Sequence, residues 1–264
     1  MVRPRIIPCL LIHEGGLVKT TRFADPKYVG DPINAVRIFN EKEVDELIVV
    51  DIDATREKRE PNYRVIAGLA NECRMPLCYG GGVQTVDQVE RIIGLGVEKV
   101  ALSSSAVANP DLVTNAARQV GSQSVIVVLD VARAGLMRRY EVMTHNGKTR
   151  TGLDPVAWAV RLEKLGAGEI VLNSVDRDGS MQGYDLDLVA GIREAITLPI
   201  TVLGGAGSLA DIEGLIRTHK IIGAAAGSLF VFKGKYRAVL INYPNRAEKS
   251  ALLDRAFANS GAPA

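Results

Sequence analysis

Eight short apolar runs alternate with amphipathic stretches along this chain, and no other feature narrows its fold as far. RIIPCLL (5–11) is followed by DPINAVRIFNEKEV, where Asp31 suits an N-cap and Pro32 the first helical position. DELIVVDI, PLCYGGG, VEKVALSSSA, QSVIVVLD, GEIVLNSVD, PITVLGGAG and KIIGAAAG supply seven more strands, each followed by a helical pattern. The strands are continuous apolar runs, as expected where both sheet faces are buried, and such alternation argues for parallel pairing. Eight units within 264 residues suit a single (β/α)8 TIM barrel. The competing architecture is an open doubly wound sheet.

An internal repeat favours the barrel. PLCYGGGVQTVDQVERII starts at Pro76, and PITVLGGAGSLADIEGLI starts 123 residues later at Pro199. The same offset lays ALSSSAV on AAAGSLF and Asp53 on Asp176. A barrel closes from two four-unit halves, whereas an open sheet has no reason to be duplicated. In a slightly different register Leu11 falls on Asp130, so one half ends its first strand in a leucine and the other in a carboxylate.

Two segments interrupt the pattern. HEGGLVKTTRFADPKYVG (13–30) is a long connection after the first strand, read as a lid over the strand ends rather than a floppy insertion. RRYEVMTHNGKTRTG (138–152) reads as a hairpin with a type I′ turn at Asn146-Gly147.

Composition excludes several classes. The net charge is +2 and the signs alternate, so neither nucleic acid nor an acidic membrane is an expected partner. No apolar run reaches the ~18 residues of a membrane span, and MVRPRIIP lacks the core of a signal peptide. Cys9, Cys73 and Cys78 are odd in number and lack metal-ligand spacing, which points to reduced thiols in a cytoplasmic protein with no metal or other cofactor.

Small residues cluster at four strand ends: Gly80-Gly81-Gly82, Ser103-Ser104-Ser105, Gly204-Gly205-Ala206-Gly207 and Gly227-Ser228. They let backbone N–H groups approach an anion, and barrels commonly hold a phosphate after strands seven and eight. The repeat adds a second such place after strands three and four, so an elongated acceptor with two phosphates fits. Asp130 ends an apolar strand, where partial burial favours a raised pKa and proton transfer. Asp178 and Gly179 follow strand six, and Lys19 could meet a phosphate or a developing anion. At the opposite end, the two-residue period of strands sends Arg5, Lys99 and Glu169 into the barrel floor, joined by Glu46. Two cations and two anions there suggest a paired ring around an axial opening.

RIIPCL, GDP, DELIVVDI, YGGGV, VLD, GAGEI, DRDG, GYDL and LGGAG together resemble the cyclase subunit of imidazole glycerol phosphate synthase, to about residue 243. The resemblance implies one barrel over 1–243 and a C-terminal extension over 244–264, partly helical and partly disordered. It implies a glutaminase docked on the floor, with Glu98 at that interface. Arg5, Glu46, Lys99 and Glu169 would gate ammonia toward a two-phosphate substrate held by Gly82, Ser104, Asp178, Gly179, Gly205, Gly227 and Ser228; Ser103 and Gly207 lie in the same clusters. Asp130 matches one catalytic aspartate. The other is absent: the family reads Cys-Leu-Asp where this chain has Cys9-Leu10-Leu11. Ser103 stands for the family's asparagine and Leu203 for its serine. PCLLIHEGGLVK, CYGGGV and AAGSLFVF are similar to a paralogous branch found in surface-polysaccharide gene sets, which implies conversion of an acetamido group on a nucleotide-linked sugar to an acetamidino group. The alternatives are an authentic cyclase that uses another acid, with Lys19 beside Asp130 as the catalytic pair or a bound water in its place, and a scaffold that only activates a glutaminase.

Overall fold

The computed structural model describes residues 3–258. Eight strands run parallel: β1 (Arg5–His13), β2 (Leu47–Asp51), β3 (Leu77–Gly80), β4 (Lys99–Leu102), β5 (Val125–Ala134), β6 (Glu169–Ser174), β7 (Ile200–Leu203) and β8 (Gly223–Ala226). Each pairs with its neighbours, β8 pairs with β1, and β5 pairs with β6 from Glu169↔Ile126 to Ser174↔Val131, so the sheet closes on itself. Among the described residues eight longer helices surround it, besides the short turns Ser104–Ala108 and Ser228–Val231: α1 (Pro32–Glu41), α2 (Tyr63–Glu72), α3 (Val86–Gly94), α4 (Asp111–Val120), α5 (Pro155–Leu165), α6 (Leu186–Ala195), α7 (Leu209–His219) and α8 (Arg246–Ala258). The fold is a (β/α)8 barrel. Asp31 caps α1 by accepting from the Asn34 N–H at 2.9 Å, with Pro32 at its first turn.

Burial separates two apolar layers. The larger lies between strands and helices and includes Ile6, Leu10, Phe39, Leu47, Ile92 and Leu172. The smaller fills the bore, with Ile7, Cys9, Ile48, Cys78, Ala101, Ile126, Val171 and Ala225. Alternate residues of β1 go to alternate layers, as the strand period requires.

The duplication is visible in backbone detail. Thr85 and Ser208, 123 residues apart, both form capping boxes, at α3 and α7. Gly81 and Gly204, at the same offset, have φ of +113° and +93°, and a Cβ on either would fall on a carbonyl oxygen, of Asp51 and Ser174 respectively. Asp53 accepts from the Glu14 N–H and Asp176 from the Arg133 N–H, each at 2.8 Å, so the two halves tie their strand ends alike.

The connection after β1 is ordered as a β-hairpin rather than a loop: Gly16–Thr21 pairs back on β1, and Ala24–Gly30 pairs on Gly16–Thr21. The connection after β5 is also a hairpin. Asn146 and Gly147 have φ of +56° and +71°, and the Lys148 N–H bonds to the His145 carbonyl, as a type I′ turn requires.

The chain does not divide at residue 243. Leu252 and Ala256 of α8 are fully buried against the barrel and α7. Tyr243 Oη donates to the Ile6 carbonyl at 2.9 Å, and Lys249 pairs with Asp45 at 2.6 Å. The segment read as an extension is therefore the outer helix that completes the ring. The tail expected to be disordered falls at 259–264, outside the described residues.

Candidate active site in the barrel mouth

A cavity of about 150 Å³ opens at the C-terminal ends of the strands. Its lining includes Lys19, Gly82, Ser103, Ser104, Asp130, Asp178, Gly179, Gly205, Gly227 and Ser228. Gly207 lies off it. Its N–H donates to Asp211 Oδ2 at 2.9 Å, inside the cap of α7, so it has no donor left for a ligand.

Asp130 accepts from Asn173 Nδ2 at 2.8 Å and from Ser103 Oγ at 3.3 Å. Burial pushes its carboxyl up to about 6, against the pull of those two donors. A proton held there exchanges near neutral pH, which suits general acid–base work. Across the bore stands Leu11, joined by Val50 and Leu203. No carboxyl stands at these three positions.

Lys19 sits on the inward face of the hairpin, only 5% exposed, and its Nζ donates to the Cys9 carbonyl and lies against Gly227. Burial pushes its ammonium group below the usual lysine value. A side chain on Gly227 would occupy the Nζ position, which is the reason for glycine there. Cys9, beneath it, has its thiol pushed up to about 11 by burial and is inert as a nucleophile.

Asp178 is not free to face solvent. Its Oδ2 accepts from Thr20 Oγ1 at 2.8 Å and from the Phe23 N–H at 3.2 Å, while its carbonyl accepts from the Arg22 N–H at 3.0 Å. It therefore fastens the hairpin tip across the mouth, and burial pushes its carboxyl up. The second hairpin closes the other side: Asn146 Nδ2 donates to the Ile52 carbonyl at 2.8 Å, and the His145 N–H to Ser104 Oγ at 3.1 Å. Thr20, Phe23 and Asn146 line the cavity, and sequence reading had not placed them there. For Asn146 the signal was present but read only as a turn former.

At the floor Arg5 bonds Glu46 through Nη1 and Glu169 through Nη2, the latter at 2.6 Å. Lys99 bridges the same carboxylates at 2.8 and 2.9 Å. Thr201 Oγ1 donates to Glu169 at 2.5 Å. The four charges thus form one closed ring under the bore. Burial pushes Glu169 up, but Arg5 and Lys99 outweigh it and hold the carboxyl below its usual value. Glu98, exposed beside the ring, accepts from the Leu77 N–H at 2.7 Å.

The histidine biosynthesis protein family matches residues 5–237. A protein of Leptospira borgpetersenii, provisionally named imidazole glycerol phosphate synthase subunit HisF, is 58% identical over 96% of this chain and 99% of its own. One from Vibrio vulnificus, provisionally named subunit hisF3, is 54% identical over 96% and 98%. The subunit HisF of Alkaliphilus metalliredigens is 43% identical over 87% and 91%. With a closed barrel, a polar mouth and this likeness over nearly its full length, the chain belongs to the histidine biosynthesis protein family, as a HisF-like member of the imidazole glycerol phosphate synthase subunits.

Proposed function

We propose that this protein is an ammonia-accepting synthase subunit that works with a glutaminase on its floor and amidinates a nucleotide-linked acetamido sugar. The observation that carries the reading is Leu11 opposite Asp130, above an assembled ring of Arg5, Glu46, Lys99 and Glu169. An imidazole ring closure moves protons at two places, and losing one partner of an acid–base pair typically costs ~10²–10⁴-fold. Exchange of an amide oxygen for nitrogen needs one. Ammonia admitted through the floor ring rises along the bore and adds to the amide carbon. Asp130, protonated in part near neutrality, protonates the carbonyl oxygen as ammonia adds and recovers a proton from the incoming nitrogen; it then protonates the resulting hydroxyl as that departs and recovers a second proton from nitrogen. The net change is loss of water. The small-residue turns at Gly82, Ser104, Gly205, Gly227 and Ser228 hold the anionic remainder of the acceptor, and Lys19 balances its charge. Glu98 belongs to the glutaminase interface, so Glu98→Lys weakens that association. Numbered names among the relatives, hisF2 and hisF3, are what additional gene copies with a separate task would carry.

Purified protein given ammonium salt and the histidine-pathway two-phosphate substrate should give no ring closure, while a nucleotide-linked acetamido sugar gains nitrogen, detected by mass spectrometry. Closure at the rate of family members with both aspartates would overturn the reading. The second reading, an authentic histidine-pathway cyclase, is favoured by the relatives' shared name; rescue of a cyclase-deficient strain decides for it.

A further inference from the structure

Two projections at the barrel mouth differ from the rest of the surface. The first is the turn Arg133-Ala134-Gly135-Leu136-Met137-Arg138-Arg139, which continues β5 for four strand residues past Asp130, about 13 Å. Leu136 is fully exposed at its apex and Met137 72% exposed. The second follows the cavity residues Gly227 and Ser228: a short ribbon, Phe232–Lys233 with Ala238–Val239, whose turn runs Gly234-Lys235-Tyr236-Arg237. Tyr236 is 86% exposed, followed by Val239 and Leu240. Lys27 of the hairpin reaches this ribbon at the Arg237 carbonyl, 3.5 Å away, which places it at the mouth.

Five of the ten exposed large apolar residues among those described stand on these two projections. So do Arg133, Arg138, Arg139, Lys233, Lys235 and Arg237, with no carboxylate in either stretch, in a chain whose net charge is only +2. Among the described residues none of the six is in an ion pair. Arg133, Lys235 and Arg237 instead lie over the rings of Tyr140, Tyr236 and Phe232. The alternation of sign that argued against an acidic membrane therefore holds on the helices and fails here.

Both projections carry an apolar or aromatic apex beside cations; Glu141, Asp154 and Asp187 line the cleft below the first apex, and Glu141 is already paired with Arg150. A protein partner would need two unrelated pockets to match them. A bilayer meets both at once, since its acyl boundary takes the apex and its anionic headgroups take the cations. We propose that the mouth face of the barrel docks on an anionic lipid bilayer through these two projections. No helix of the described residues is long and apolar enough to cross a membrane, so the attachment is peripheral. The floor, with its charged ring, faces away from the bilayer.

Sedimentation of the full chain with vesicles tests this. Vesicles of phosphatidylcholine with one third phosphatidylglycerol should carry the protein down, and pure phosphatidylcholine should not. Binding should fall as salt shortens the screening length. Lys235→Gln with Arg237→Gln should weaken it about 25-fold, at about fivefold for each cation near the surface. Leu136→Ser with Met137→Ser should weaken it without removing the salt dependence, and Arg64→Gln with Lys164→Gln on the outer helices should leave it unchanged. Equal recovery with both vesicle types, or tip variants that bind like the wild type, overturns the proposal. So does a wild type that ignores vesicles but binds an acidic protein through the same residues.

Discussion

Replacing Asp130 by Asn should make the protein more stable above neutral pH while removing its turnover. The carboxyl is half-buried at the cavity wall, and its desolvation lifts it from an ordinary 3.8 to about 6. At 1.36 kcal/mol for each pKa unit, ionised Asp130 costs the native state about 3 kcal/mol relative to the unfolded chain. Because the folded value is the higher one, the native state holds the proton more tightly. The penalty is complete above about pH 6, shrinks as the pH falls from there toward 3.8, and is gone below it. Asparagine has the same shape: its Oδ1 keeps the bond from Asn173 Nδ2, and its amide can donate to Ser103 Oγ once that hydroxyl rotates. Urea unfolding at about pH 8 should put the variant ahead by about 3 kcal/mol, with the two curves converging at about pH 4. A variant weaker than wild type at high pH, or a gap that ignores pH, would refute the reasoning.

Glu169→Gln should destabilise the protein by about 3–5 kcal/mol at neutral pH, because Arg5 and Lys99 then share Glu46 alone in a buried ring. Its folded carboxyl is held below 4.5, so the loss should shrink as the pH falls through that lower value; urea midpoints across acid pH check it. Gly81→Ala should cost about 3 kcal/mol or more, since φ is +113° and the new Cβ meets the Asp51 carbonyl; an unchanged melting temperature would contradict this. Leu252→Ala should cost about 2–5 kcal/mol in urea unfolding, as befits a core position, and a loss under about 0.5 kcal/mol would restore α8 to the status of an appendage.

The legible parts of this molecule were those set by local chemistry or strict periodicity. Asp31-Pro32 announces a helix start and Asn146-Gly147 a hairpin turn, because each solves a backbone problem within a few residues. Period two along β1, β4 and β6 sufficed to send Arg5, Lys99 and Glu169 to one place, since strand parity survives barrel closure. The hairpin at 16–30 was not legible as strands. KTTRFADPKYVG has no apolar run, and Pro26 argues against a strand unless the strand lies at an edge, as this one does. Its grip on Asp178 joins positions 158 residues apart, which no local pattern encodes. Gly207 misled for the opposite reason: a small residue in a glycine cluster looked like a ligand contact, yet its N–H serves a helix cap.

The separation of bore from shell bears on how such a protein changes occupation. The outer layer is the larger of the two, and the narrow inner column is a separate cluster. Leu11, Val50, Val128 and Leu203 pack on the top of that column and are only partly enclosed, so exchange of a polar for an apolar group there leaves the outer layer untouched. A lineage could therefore rewrite the wall of its reaction chamber while its framework stays as it was.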